Sequence, residues 1–153
     1  PRPGALALYG SDGCMLPDRS GTYVLVLKLP RLTAIDVGRL GRVQFPAGWY
    51  TYAGSAHGPG GLAARISRHL RSPKPLHWHV DYLRARARPV ETWVAIGAQK
   101  RECAWAQALS GLSGASIPAP RFGASDCHCP ARAEYCWITS SSTLANGTPC
   151  TSK

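Results

Sequence analysis

The chain has 153 residues, 44% hydrophobic and 17% charged, and its 18 Lys and Arg against 8 Asp and Glu leave a formal net charge of +10. That composition excludes a disordered polymer and suffices for one hydrophobic core, while no apolar run approaches the roughly 18 residues that span a bilayer. A basic excess of this size favours a polyanionic partner, because neutralising phosphates releases their counterions.

Residues 1–19 carry Pro, Gly and Asp without periodicity and read as a flexible N-terminal arm. Pro1 to Gly10 lack the basic start and apolar stretch of a signal peptide, so a cytoplasmic location is expected. From Gly21, the run Tyr23-Val24-Leu25-Val26-Leu27 predicts a strand that breaks at Leu29-Pro30. Ile35 and Val37, then Val43 and Phe45, alternate around Gly38 to Gly41 and predict a hairpin. Pro46-Ala47-Gly48 is a turn, and Trp49 to Gly54 a further strand. A helix beginning near Leu62 carries Leu62, Ile66 and Leu70 at spacing four and is ended by Pro73 and Pro75. A second helix is expected from about His77 to Ala87, a strand over Val90 to Ile96 and a third helix over Lys100 to Leu109. A short strand is expected near Ala133 to Ile138, before a Ser/Thr-rich tail, 139–153, that reads as disordered. The fold class is α+β: one domain, 20–138, with a mostly antiparallel three- to four-stranded sheet flanked by about three helices.

The charge is not evenly placed. Arg65, Arg68, Arg71, Lys74, Arg84, Arg86 and Arg88 crowd one stretch, opposed within it only by Asp81. Fourteen of the 18 basic residues are Arg, whose fork matches phosphate oxygens two at a time. Six cysteines raise the alternative of a secreted disulfide scaffold, and Asn146-Gly147-Thr148 fits a glycosylation acceptor. That alternative needs an oxidising compartment and a targeting segment that the sequence does not display.

In their order along the chain, Gly21-Thr22-Tyr23 and Tyr52-Ala53-Gly54 resemble the paired triplets of the GIY-YIG endonuclease superfamily, with Thr and Ala where the motif has Ile. Phe45-Pro46-Ala47-Gly48-Trp49-Tyr50, Gly54-Ser55-Ala56, His77-Trp78-His79-Val80-Asp81-Tyr82-Leu83 and Phe122-Gly123-Ala124-Ser125-Asp126-Cys127-His128-Cys129 are similar to its small Uri-type branch. The likeness covers about Gly21 to Trp137. It implies a GIY-YIG nuclease-like fold and a metal-dependent endonuclease acting on DNA, including structured or damaged forms. It implies that Tyr23 or Tyr52 activates water, that Arg65 contacts the phosphate with His69 one turn later, and that Glu102 holds one divalent cation, Mg²⁺ or Mn²⁺. Gly54, Ser55, Arg68, Arg71, Lys74, His77 and His79 are the expected nucleic-acid contacts.

The chemistry of these residue types agrees. Phosphodiester hydrolysis needs an activated water, neutralisation of developing equatorial charge and help for the departing oxygen. A guanidinium suits the second task, and one carboxylate with substrate phosphate is a common Mg²⁺ arrangement. A phenol with ordinary pKa near 10 is a weak base at neutral pH, but clustered cations and a metal would lower it. Spacing of four sets Arg65 and His69 on one helical face, and it pairs His77 with Asp81, offering a second metal or phosphate contact from His77.

Plainer readings exist for each residue. Tyr23 and Tyr52 also suit a sheet core, Arg65 and His69 a helix surface, and Glu102 a helix N-terminus. Two rival functions follow: a catalytically inactive nucleic-acid-binding module with the same fold, and a structural adaptor stabilised by Zn²⁺ through Cys127, Cys129 and Cys136. The first two of these cysteines lie closer than in the usual zinc knuckle, and Arg132 stands where related sequences place a histidine.

Overall fold

The computed structural model describes residues 6–10, 15–71, 75–112, 114–116, 122 and 137–140, with the first and last of these segments described by their backbone. Strands β1 (Leu6–Gly10), β2 (Gly21–Leu29), β5 (Gly48–Ala56), β6 (Arg88–Ile96) and β7 (Trp137–Ser140) form one antiparallel sheet in the order β1-β6-β2-β5-β7. Strands β3 (Thr33–Val37) and β4 (Gly41–Phe45) form a separate hairpin. Among the described residues three α-helices complete the α+β architecture: α1 (Gly61–Leu70), α2 (His79–Arg84) and α3 (Glu102–Ser110). None of the described helices is long and apolar enough to cross a membrane.

Strand β2 lies between β6 and β5 and is covered on both faces, which is why its sequence is a continuous apolar run rather than an alternation. One face of the sheet carries Tyr23, Leu25, Leu27, Tyr50 and Tyr52, packed with Leu62 and Ile66 of α1, Val80 and Leu83 of α2, and the hairpin residues Val37 and Phe45. The other face carries Val24, Val26 and Ala53 against Ala106, Trp105 and Leu109 of α3, with Trp49 and Trp93 at its margin. Lys28 leaves this face for solvent, its ammonium 5.0 Å from the Trp49 ring centre.

Two glycines are required by close approach. Gly61, with φ +54°, starts α1 where the backbone of Arg19 runs against it, and a Cβ there would overlap the Arg19 carbonyl. The approach has a use: the first helical amides, which lack partners inside the helix, donate to chain carbonyls instead. Leu62 N–H bonds Arg19 O at 2.9 Å and Ala63 N–H bonds Pro17 O at 2.8 Å. Gly54 sits opposite Tyr23 in the β2–β5 register, and the phenol folds down over it. A Cβ on Gly54 would stand 2.5 Å from the Tyr23 oxygen.

The structure revises three expectations. Leu6–Gly10, inside the arm 1–19, is a strand, because the open edge of β6 supplies pairing that a Pro/Gly-rich sequence does not advertise. Among the described residues the main sheet has five strands rather than three or four, since β1 and β7 add to its two sides. Helix α2 begins at His79 rather than His77, because Trp78 is extended, at φ −93° and ψ 157°. Lys74, Cys127, Cys129, Arg132, Cys136 and the tail beyond 140 lie outside the described residues.

Tyr50 is fully buried and donates its hydroxyl hydrogen to Pro46 O at 2.6 Å, and burial pushes its pKa up to about 12. The unfolded chain loses this proton near pH 10 while the native protein keeps it to about 12. The phenol's stabilising effect is therefore complete below pH 10 and is lost as pH rises to 12. Urea unfolding should show Tyr50→Phe less stable at pH 8, by about 1 kcal/mol for the missing hydrogen bond. The gap to the wild type should narrow as pH rises beyond 10. Gly54→Ala should cost about 1–3 kcal/mol by overpacking, and Tyr23→Phe in that background should recover part of the loss. Additive costs in the double variant would show that the Tyr23 hydroxyl does not rest on Gly54.

Candidate active site and nucleic-acid interface

Tyr23 and Tyr52 come from neighbouring strands and project from the sheet face that α1 and α2 cover. Their rings meet edge to face with centres 6.2 Å apart, and the His69 ring of α1 lies 5.7 Å from each. The Tyr23 hydroxyl and His69 Nε2 share a buried hydrogen bond of 2.8 Å. Both residues are 1% exposed and Tyr52 is 8% exposed, so the cluster is closed over at its base.

On its far side His69 meets Asp81 of α2, with Nδ1 3.8 Å from Oδ1. Asp81 is completely buried, and a buried carboxylate needs compensation. It has several sources: the amides of His77 and Trp78 each donate to Oδ2 at 2.9 Å, and the Arg68 guanidinium of α1 lies 3.4 Å away. The same residue therefore caps the start of α2 and joins it to α1. The sequence displays Asp81 as the lone acid among seven cations. That isolation is the sign in the sequence of an internal counter-charge. His77 precedes the helix and is exposed, so it shares no outward face with Asp81, whose side chain is turned in.

Trp78, within the motif His77 to Leu83, is a second member of the site. Its ring centre lies 5.4 Å from that of His69, and the guanidinium carbons of Arg65 and Arg68 stand over its ring at 4.8 and 4.0 Å. Arg65, Arg68 and Trp78, with Gly58, Pro59 and Ala64, line an open cleft of about 240 Å³. Among the described residues no carboxylate pairs with Arg65. The spacing of four between Arg65 and His69 puts both against Trp78, as the helical pattern implies.

The structure thus brings Tyr23, Tyr52, Arg65, Arg68 and His69 together, with the Gly54 backbone beneath the first phenol. It does not bring Glu102 to them. Glu102, at the start of α3, accepts a hydrogen bond from the Ser55 hydroxyl. Ser55 pairs with Thr22, whose Oγ1 accepts the Arg101 amide at 3.1 Å. Both are one residue out of phase with Gly54 and Tyr23, so they project from the face that carries α3. A divalent ion held by Glu102 would lie on that side, and the donor set does not fit an ion shared with the phenols. Among the described residues no three His, Cys, Asp or Glu side chains gather as metal ligands. Of the remaining expected contacts, Arg71 and His77 are exposed, and His79 stacks on the buried Phe122 at 5.6 Å.

No curated protein and no solved structure matches the chain. A family model described as domain of unknown function DUF123 matches residues 22–146, a stretch that contains both tyrosines, the Arg65–Trp78 cleft and α3. That match takes in most of the sequence, and the chain belongs to the DUF123 family.

Proposed function

We propose that the chain is a small nucleic-acid phosphodiesterase of the GIY-YIG kind, similar to the Uri-type branch, acting on DNA. One observation carries the reading: the hydrogen-bonded Tyr23–His69 pair and the cationic cleft meet at a single side chain, Trp78. A phosphate entering the cleft would meet Arg65, whose guanidinium pairs with no carboxylate among the described residues and can contact two oxygens at once. As charge develops on the equatorial oxygens, a fixed guanidinium stabilises it without reorganising. With Nε2 of His69 accepting the Tyr23 proton, the phenol can take a proton from water as it passes its own to the imidazole. No free phenolate forms in the low-dielectric core during such a transfer. The charge of the chain, with Arg65 and Arg68 on α1 and exposed Arg71 just after it, supplies the electrostatic attraction to the polymer. A domain this small, with two arginines lining its cleft, would read backbone and shape more than sequence.

A second reading is favoured by a different observation. Tyr23 and His69 are sealed from solvent and Glu102 lies across the sheet, and both suit a nucleic-acid-binding module without catalysis. The two readings separate in one assay of supercoiled plasmid with Mg²⁺ or Mn²⁺. The nuclease reading expects nicking by the wild type, reduced about 10²–10³-fold in Arg65→Ala and in His69→Ala by about 10²-fold or more. No nicking with either ion, alongside binding whose log K falls linearly with log salt, would establish the module instead.

A further inference from the structure

The buried carboxylate of Asp81 has a consequence for the imidazole beside it. Its oxygens are unequally engaged: Oδ2 takes both backbone amides at 2.9 Å, Arg68 reaches both oxygens at 3.4 Å, and Oδ1 faces His69 Nδ1 at 3.8 Å. Among the described residues, charged and titratable groups approach His69 from the sheet, from α2 and from its own helix. Tyr23 and Tyr52 approach from the sheet, Asp81 from α2, and Arg68 and Arg65 from its own helix through Trp78. At 3.8 Å the carboxylate is beyond a direct hydrogen bond and acts on the ring through its charge. A negative charge on the Nδ1 side favours a proton at Nδ1. Neutral imidazole then has its lone pair at Nε2, the atom that the Tyr23 hydroxyl touches.

We propose that Asp81 is a positioning residue that holds His69 in the Nδ1–H tautomer, so that Nε2 is the acceptor for the Tyr23 hydroxyl. In its catalytic consequence this rests on the phosphodiesterase reading, while the tautomer itself stands on the geometry alone. Trp78 and the start of α2 belong to the same device. The amides that secure Asp81 are those of His77 and Trp78, so the carboxylate that orients the ring also sets the indole against which the ring packs.

The test reads the ring without nucleic acid. In protein labelled with ¹⁵N-histidine, two-bond nitrogen–proton correlation at pH 8 should show His69 with a protonated Nδ1 and an unprotonated, hydrogen-bonded Nε2. In Asp81→Asn the populations should move toward Nε2–H, and Asp81→Glu should restore the wild-type pattern at least in part. Wild-type His69 with its proton on Nε2 would overturn the proposal, and that result needs no variant to fold. So would an Asp81→Asn protein that is folded by circular dichroism and keeps the wild-type pattern. In the plasmid assay Asp81→Asn should lower the nicking rate by about 100-fold or more without weakening binding. A wild type that never nicks but carries Nδ1–H ends the phosphodiesterase reading and supports the tautomer assignment. A wild type that nicks with Nε2–H ends the assignment and leaves the phosphodiesterase reading standing.

Discussion

A fully buried carboxylate between α1 and α2 is the constraint on which the functional face depends. An ion of this kind costs several kcal/mol to desolvate, and its place is secured only where hydrogen bonds and a counter-charge meet it. Here Arg68 comes from one helix and two amides from the start of the next, where the helix dipole also favours negative charge. The geometry of both helices is fixed by one side chain. Because one of those amides is that of Trp78, the indole is held beneath Arg65 and Arg68 and beside His69. Removing the carboxylate would take a counter-charge from half-buried Arg68 and leave the first turn of α2 uncapped.

A second constraint works through shape. Tyr23 and Gly54 are cross-strand partners, so the two triplets, far apart along the chain, make one packed unit. The phenol lies over the glycine, which brings its oxygen to Nε2 of a helix histidine. Electrostatics from α2 and sterics from β5 thus act on the same tyrosine–histidine pair from opposite sides.

Most of the architecture was legible in the sequence because it is written in short-range periodicity. The apolar run of β2, the alternation of β3 and β4, and the spacing of Leu62 and Ile66 each state which atoms must leave water. Leu6–Gly10 was not legible, since its partner β6 lies some eighty residues downstream and a single edge pairing leaves little compositional trace. The start of α2 was misplaced for a related reason. Asp81 captures the His77 and Trp78 amides from within the helix, with Trp78 extended, and propensity does not report a tertiary capture. The side of the sheet reached by Glu102 was within reach. Tyr52 and Ser55 are three apart on one strand, an odd offset, and must face opposite ways.

The burial of Tyr23 and the exposure of the arginines are two sides of one electrostatic design. A phenol and an imidazole removed from water interact strongly, because little solvent screens them. Arg65 instead remains half in water, as the proposed contact with a polymer from solution requires. Trp78 reconciles the two demands: its indole is large enough to cover the imidazole on one flank and to carry guanidiniums on its face. The aromatic ring separates a dry hydrogen-bonded chain from a wet cationic cleft, yet is in contact with both. Charge placed in the cleft is then felt at His69 across one aromatic ring, with Asp81 fixing the sign of the field from behind.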